Sequence, residues 1–258
     1  MKKEMSVISI AVRSSFYKIL LILLGMATVQ LGLFYDTYLK YDYSEERLVA
    51  SESSTVWGKG YGVTWTLESL VEESHVHMVF LAAFAMICLV LAWAQSERKG
   101  VHTYYFYERL QVGTKSRFVG WSLYNFACMI LLLFAEILVV LGMGSIFIYM
   151  VPEEYESAQM FFMAFYKSRF LHNIFPMAEI YRWFRNVLLF GACSMEIAAF
   201  ACMKRKPWEM FMLILLILFG FVQDIGTFGG MDIVLILVSL ICIGVTGYKV
   251  FINGGAEE

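Results

Sequence analysis

Tyr104-Tyr105-Phe106-Tyr107-Glu108-Arg109-Leu110-Gln111-Val112-Gly113-Thr114-Lys115-Ser116-Arg117 leads almost directly into Trp121–Met150, an apolar stretch whose one carboxylate is Glu136. A spanning helix needs about 20 mostly apolar residues, so the second part reads as a membrane span and the first as the loop that enters it. The fold class follows from this junction once the same pattern is found elsewhere. The chain has 258 residues, 60% of them hydrophobic and 17% aromatic. Soluble domains average about 45–50% apolar residues, so the composition is that of an all-α integral membrane protein.

Six apolar runs are long enough to be read as spans: roughly 19–35, 77–95, 121–150, 183–203, 208–223 and 233–251. They form a single membrane-spanning domain over 1–258, since the longest polar segment, Asp36–Ser74, is too small and hydrophilic for a core of its own. Val7–Lys18 mixes Val7, Ile8, Ile10, Val12 and Phe16 with Arg13 and Lys18, and predicts an amphipathic lead-in helix on the membrane surface. In 151–182, aromatics alternate with Lys167, Arg169 and His172, which fits an interfacial helix. The Lys2-Lys3 start followed by 19–35 resembles a signal peptide, but the run is too long for one and has no small-x-small cleavage site, so it reads as an uncleaved first span.

Orientation follows the positive-inside rule. Lys2, Lys3, Arg13, Lys18, Arg98, Lys99, Arg109, Lys115, Arg117, Lys204, Arg205, Lys206 and Lys249 fall on one side, thirteen of the 20 Lys and Arg. Acids crowd the opposite loop, among them Asp36, Asp42, Glu45, Glu46, Glu52, Glu68, Glu72 and Glu73. Both termini are therefore expected in the cytoplasm of a cell-membrane protein. The net charge of −2 gives no field for nucleic acid.

Two acids interrupt apolar runs. A carboxylate at mid-bilayer costs about 2.5–3.5 kcal/mol on insertion scales, so Glu136 and Glu196 must meet other helices, a cavity, a cation or a proton. One reading makes them path-lining groups; the other gives them structural hydrogen bonds to groups such as Ser122, Ser194 or Thr246. Glu196 lies eight residues before Lys204, about 12 Å at helical rise, and Glu136 reads as nearer the membrane centre.

Other chemistry is thin. His75 and His77 flank Val76 beside Glu72 and Glu73, but i,i+2 spacing on a helix turns the two rings to different faces, and His102 and His172 stand alone. Cys88, Cys128, Cys193, Cys202 and Cys242 all lie in apolar runs and read as packing residues. No nucleophile set, metal site or cofactor motif is visible, and no phosphate-binding glycine loop. Gly226, Gly229 and Gly230 read as a tight turn, with Asp224 and Asp232 as possible shapers of a gate on that side.

The loop Ser96–Val119 has an apolar side and basic residues that keep it cytoplasmic, which suits either a docked soluble partner or anionic lipid. Arg109-Leu110-Gln111-Val112-Gly113-Thr114-Lys115, followed by Phe118 and Tyr124-Asn125, resembles the segment that enters the third span of ABC-2-type transporter permeases. In that family the turn closes a cytoplasmic coupling helix. The resemblance implies a separate ATP-binding subunit docking on 101–117 through Tyr104, Tyr105, Tyr107, Arg109, Leu110 and Lys115. It also implies a second permease chain, identical or paired. The competing expectation is a non-catalytic membrane scaffold or accessory protein of a larger assembly.

Overall fold

The computed structural model describes residues 2–52, 66–95, 113–150, 160–177, 179–203, 207–222 and 229–252. Among these residues the chain is entirely helical, with nine helices. They are α1 Lys2–Glu52, α2 Leu67–Glu73, α3 Val76–Gln95, α4 Thr114–Met150, α5 Met160–Lys167, α6 Arg169–Ile174, α7 Ile180–Met203, α8 Pro207–Val222 and α9 Gly229–Ile252. Five of them contain stretches long and apolar enough to cross a membrane: 15–40, 76–94, 114–150, 180–202 and 232–252.

The six-span expectation counts 208–223 as well. The helix there, α8, is apolar but has 16 residues, about 24 Å at helical rise against a hydrocarbon core of about 30 Å. Pro207 opens it at the position where a missing N–H costs nothing.

Two expectations about helix ends are corrected. The lead-in 7–18 is not a separate surface helix: α1 runs unbroken through it and on to Glu52. No Gly or Pro occurs between Leu33 and Trp57 to stop the helix, and Asp36 and Lys40 pair across one turn of its far part. The polar segment after span one is thus partly a helical extension. The second correction concerns 151–182. Its described part forms two short helices, α5 and α6, separated at Ser168, where a single helix was expected. Ala164, Phe165, Phe170, Leu171, Ile174 and Phe175 are all buried.

Packing centres on α4 and α7. α4 lies against α1 and α7, α7 lies against α4 and α9, and α3 packs on α1 and α7. The buried side of α4 recurs every three or four residues through Phe118, Trp121, Asn125, Met129, Leu132, Glu136, Val140, Met143 and Phe147, the repeat of one helix face. Leu123, Ile130, Phe134 and Leu138 cover the other face and are exposed, as lipid contact requires. α7 is the most enclosed of the five, with 67% of its apolar window buried against 22% for α9.

Aromatic rings join the short helices to the long ones. Phe170 of α6 meets Phe80 of α3 at 5.3 Å, Phe80 meets Phe221 of α8 at 6.3 Å, and Phe221 meets Phe190 of α7 at 5.8 Å, all within the favourable range for aromatic pairs. On α4, Gly144 lies so close to the Phe161 ring of α5 that a side chain there would displace it.

Candidate functional site: buried polar junctions

The polar groups inside the bundle gather where helices cross, and the main chain positions them by helical repeat. At one junction three helices meet. Gln30 of α1 donates from Nε2 to Glu136 Oε1 of α4 at 3.2 Å and to the Val76 carbonyl of α3 at 3.2 Å. Gln30 and Glu136 are fully buried. Glu136 therefore lies close to the first residue of α3. α4 simply continues past the end of α3 for several turns.

The second junction lies at the same end of the bundle. Arg185 of α7 pairs through Nη1 with Asp232 Oδ1 of α9. Its Nη2 donates to the Asn173 carbonyl at 2.9 Å and to Asn186 Oδ1 at 2.9 Å. Asn186 Nδ2 donates in turn to the carbonyls of Asn173 at 2.9 Å and Ile174 at 3.0 Å. Two α7 side chains thereby satisfy the carbonyls at the C-terminal end of α6, which have no helical partner of their own. Arg182 adds an ion pair to Asp232 Oδ2 at 3.4 Å and another to Glu179. Arg182, Arg185 and Asp232 are all under 10% exposed, so the two arginines are core groups.

Toward the opposite end, Glu196 of α7 accepts a hydrogen bond from Thr246 of α9. Asn125 of α4 donates to the Ser194 carbonyl of α7 at 3.2 Å. Ser15 of α1 and the Tyr124 hydroxyl of α4 share a 2.7 Å hydrogen bond. Cys88 of α3 and Cys193 of α7 face each other with sulfurs 3.9 Å apart.

The two suspected path-lining acids are not brought together. Glu136 joins α1 to α4 and Glu196 joins α7 to α9, each by a helix-to-helix hydrogen bond. Of the docking residues, Tyr104, Tyr105, Tyr107, Arg109 and Leu110 lie outside the described residues. Lys115 is exposed on the first turn of α4, and two residues on the Arg117 guanidinium stands 5.7 Å over the Trp121 ring, a cation–π contact. Of the glycine turn, 226 also falls outside, whereas Gly229 and Gly230 open α9. Asp224 is outside as well, and Asp232 is bound to arginine.

The histidines are placed differently from expectation. His75 is in the turn between α2 and α3 with a φ of 53°, so His75 and His77 are not on one helix and their rings stand 5.8 Å apart. No group of three or more possible metal ligands occurs among the described residues. His172 is buried on α6 against Tyr166, with ring centroids 5.8 Å apart. Burial holds its pKa below the ordinary histidine value and the nearby Arg182 lowers it further, while Glu179 pulls the other way.

Sequence reasoning missed Gln30, Arg182, Arg185 and Asn186. The signal was present: Gln30 and Arg185 fall inside runs read as spans, and polar groups within a span need partners.

No family model matches this chain, and no curated protein or solved structure matches it either.

Proposed function

We propose that the chain is the membrane-spanning subunit of an ATP-driven transporter of the ABC-2 type, with ATP hydrolysed by a separate subunit that docks on 101–117. A second permease chain completes the path, and membrane lipid covers the exposed apolar faces. The observation that carries the reading is the continuity of α4. Gly113 passes at once into an uninterrupted 37-residue helix that packs against both α1 and α7. A push on the loop would move that helix as a rod and so reach both neighbours, the coupling that rigid-body transport motions need.

In this reading α8 is a sixth, short crossing and both termini are cytoplasmic. Two observations support it. Phe221, near the end of α8, reaches Phe80 and Phe190, while its start at Pro207 follows closely on the other end of α7. Ser15 pairs with Tyr124 in the early part of α4, and Thr246 pairs with Glu196 in the late part of α7, which sets the start of α1 and the end of α9 toward one end of the bundle.

The accessory-scaffold reading draws on one observation: Glu136 and Glu196 are closed into helix-to-helix hydrogen bonds, which is what a purely structural bundle would do with them. Co-purification separates the two. A P-loop ATPase is expected to copurify with the wild-type chain and to be lost with Tyr105→Ala/Arg109→Glu; recovery of the same ATPase with the altered loop removes the docking role.

A further inference from the structure

The junction of Gln30, Glu136 and Val76 leaves a specific pair of atoms unaccounted for. Gln30 Nε2 has two hydrogens, and both are used, one on Glu136 Oε1 and one on the Val76 carbonyl, each at 3.2 Å. The two polar atoms that remain are Gln30 Oε1 and Glu136 Oε2. Both are buried, and neither has a hydrogen-bond partner among the described residues. Without a proton between them both are acceptors, and buried acceptors without donors are rare in folded proteins.

A single proton resolves both. A carboxylic acid and a primary carboxamide form a closed pair in which the amide N–H donates to one carboxyl oxygen and the acid O–H donates to the amide oxygen. The first of these two bonds is already present between Gln30 and Glu136. The two orphaned oxygens are the partners the second would join.

The surroundings favour this over a bound charge. Among the described residues no cation pairs with Glu136, and its side-chain hydrogen-bond partner there is Gln30. The titratable side chains nearest Val76 in sequence are His75 and His77, whose rings stand 5.8 Å apart, with the His77 ring 6.1 Å from that of Phe170. Gln30 on α1 and the Val76 carbonyl on α3 are themselves uncharged. An ionised carboxylate would thus sit fully buried with one hydrogen bond and no counter-charge, an arrangement that proteins avoid.

We propose that Glu136 is a proton-binding site: it folds as the neutral acid, and its Oε2–H closes a reciprocal two-bond pair with Gln30 that fastens α1 to α4 at the start of α3. The bound proton is taken up by the carboxylate from water as the span inserts, and no other bond changes. The proposal stands apart from the docking reading of the loop, because it concerns the state of the bundle whatever partner the chain has.

Infrared spectroscopy of the full chain in lipid tests it. The wild-type minus Glu136→Gln difference spectrum is expected to show loss of a carboxylic-acid C=O band. In Gln30→Leu the same band should persist and move to higher frequency, because the amide N–H no longer donates to that carbonyl. Glu136→Gln should keep the wild-type melting midpoint, since an amide–amide pair retains both bonds, while Glu136→Leu should lower it. Loss of a carboxylate band in place of an acid band would overturn the proposal, and so would a bridging water or cation, which leaves the same carboxylate signature. Equal destabilisation by Gln and Leu would also overturn it.

Discussion

Asp232 and Glu136 are both buried acids near the same end of the bundle, and they are handled in opposite ways. Asp232 lies between two guanidiniums, Arg185 and Arg182. Among the described residues Glu136 meets the carboxamide of Gln30, a neutral partner suited to a neutral acid. The difference follows from which helices meet there. α7 carries arginines one turn apart that face the first turn of α9, whereas α1 and α3 bring only an amide and a main-chain carbonyl to α4. A buried carboxylate keeps its charge where a cation is fixed beside it, and otherwise has a proton as the least costly companion.

The comparison breaks most visibly at Arg185. Arg185→Leu removes one of the two guanidiniums beside Asp232 and one of the two donors to the Asn173 carbonyl, and removal of one partner from a buried ion pair costs about 3–5 kcal/mol. Thermal or denaturant unfolding in detergent should show that loss, and Arg185→Leu/Asp232→Leu should recover much of it by removing both charges. Gln30→Leu is the matching cut at Glu136. It deletes a donor to two buried acceptors, for which about 1–3 kcal/mol is the usual range, and no compensating acidic-residue charge is stranded. A loss as large as that of Arg185→Leu would mean that Glu136 is ionised after all.

Glu196 offers a third arrangement, an acid held by a hydroxyl. Thr246→Val should cost about 1 kcal/mol, the upper range of single interhelical hydrogen bonds in membrane proteins, measurable as a small drop in melting midpoint. The smallest effect is expected from His172. Burial and Arg182 hold its folded pKa below the unfolded value of about 6.5, so the unfolded chain binds the proton more readily. Stability is therefore full above about pH 6.5 and falls as pH drops below that value. His172→Gln should flatten melting curves compared between about pH 7.5 and about pH 5.5.

Much of this was legible in the residues, and the parts that were not share a cause. Apolar runs fixed the positions of the spanning helices, because lipid demands continuous apolar length regardless of neighbours. Thr246 was among the hydroxyls that could reach an embedded acid. Partner choice was not legible: Gln30 and Glu136 are 106 residues apart in sequence, and nothing local to either selects the other. The closeness of Glu136 to the start of α3 was not legible either, because it depends on how far α4 outruns α3. Arg182 fell outside the span because its start was drawn at Trp183, three residues after Ile180, where α7 begins, and Arg185, though inside it, gave no sign of which acid it meets. The docking residues 104–110 rest on the resemblance and on the continuity of α4.

The two ends of α4 give the most direct test of the transport reading. Lys115 is exposed at one end and Tyr149, 92% exposed, at the other. A photo-crosslinking residue placed at each position in turn, in native membranes, can be followed by mass spectrometry of the captured proteins. The account predicts capture of a P-loop ATPase from position 115 and none from position 149. Absence of any such ATPase at 115, or equal capture at both ends, would contradict it.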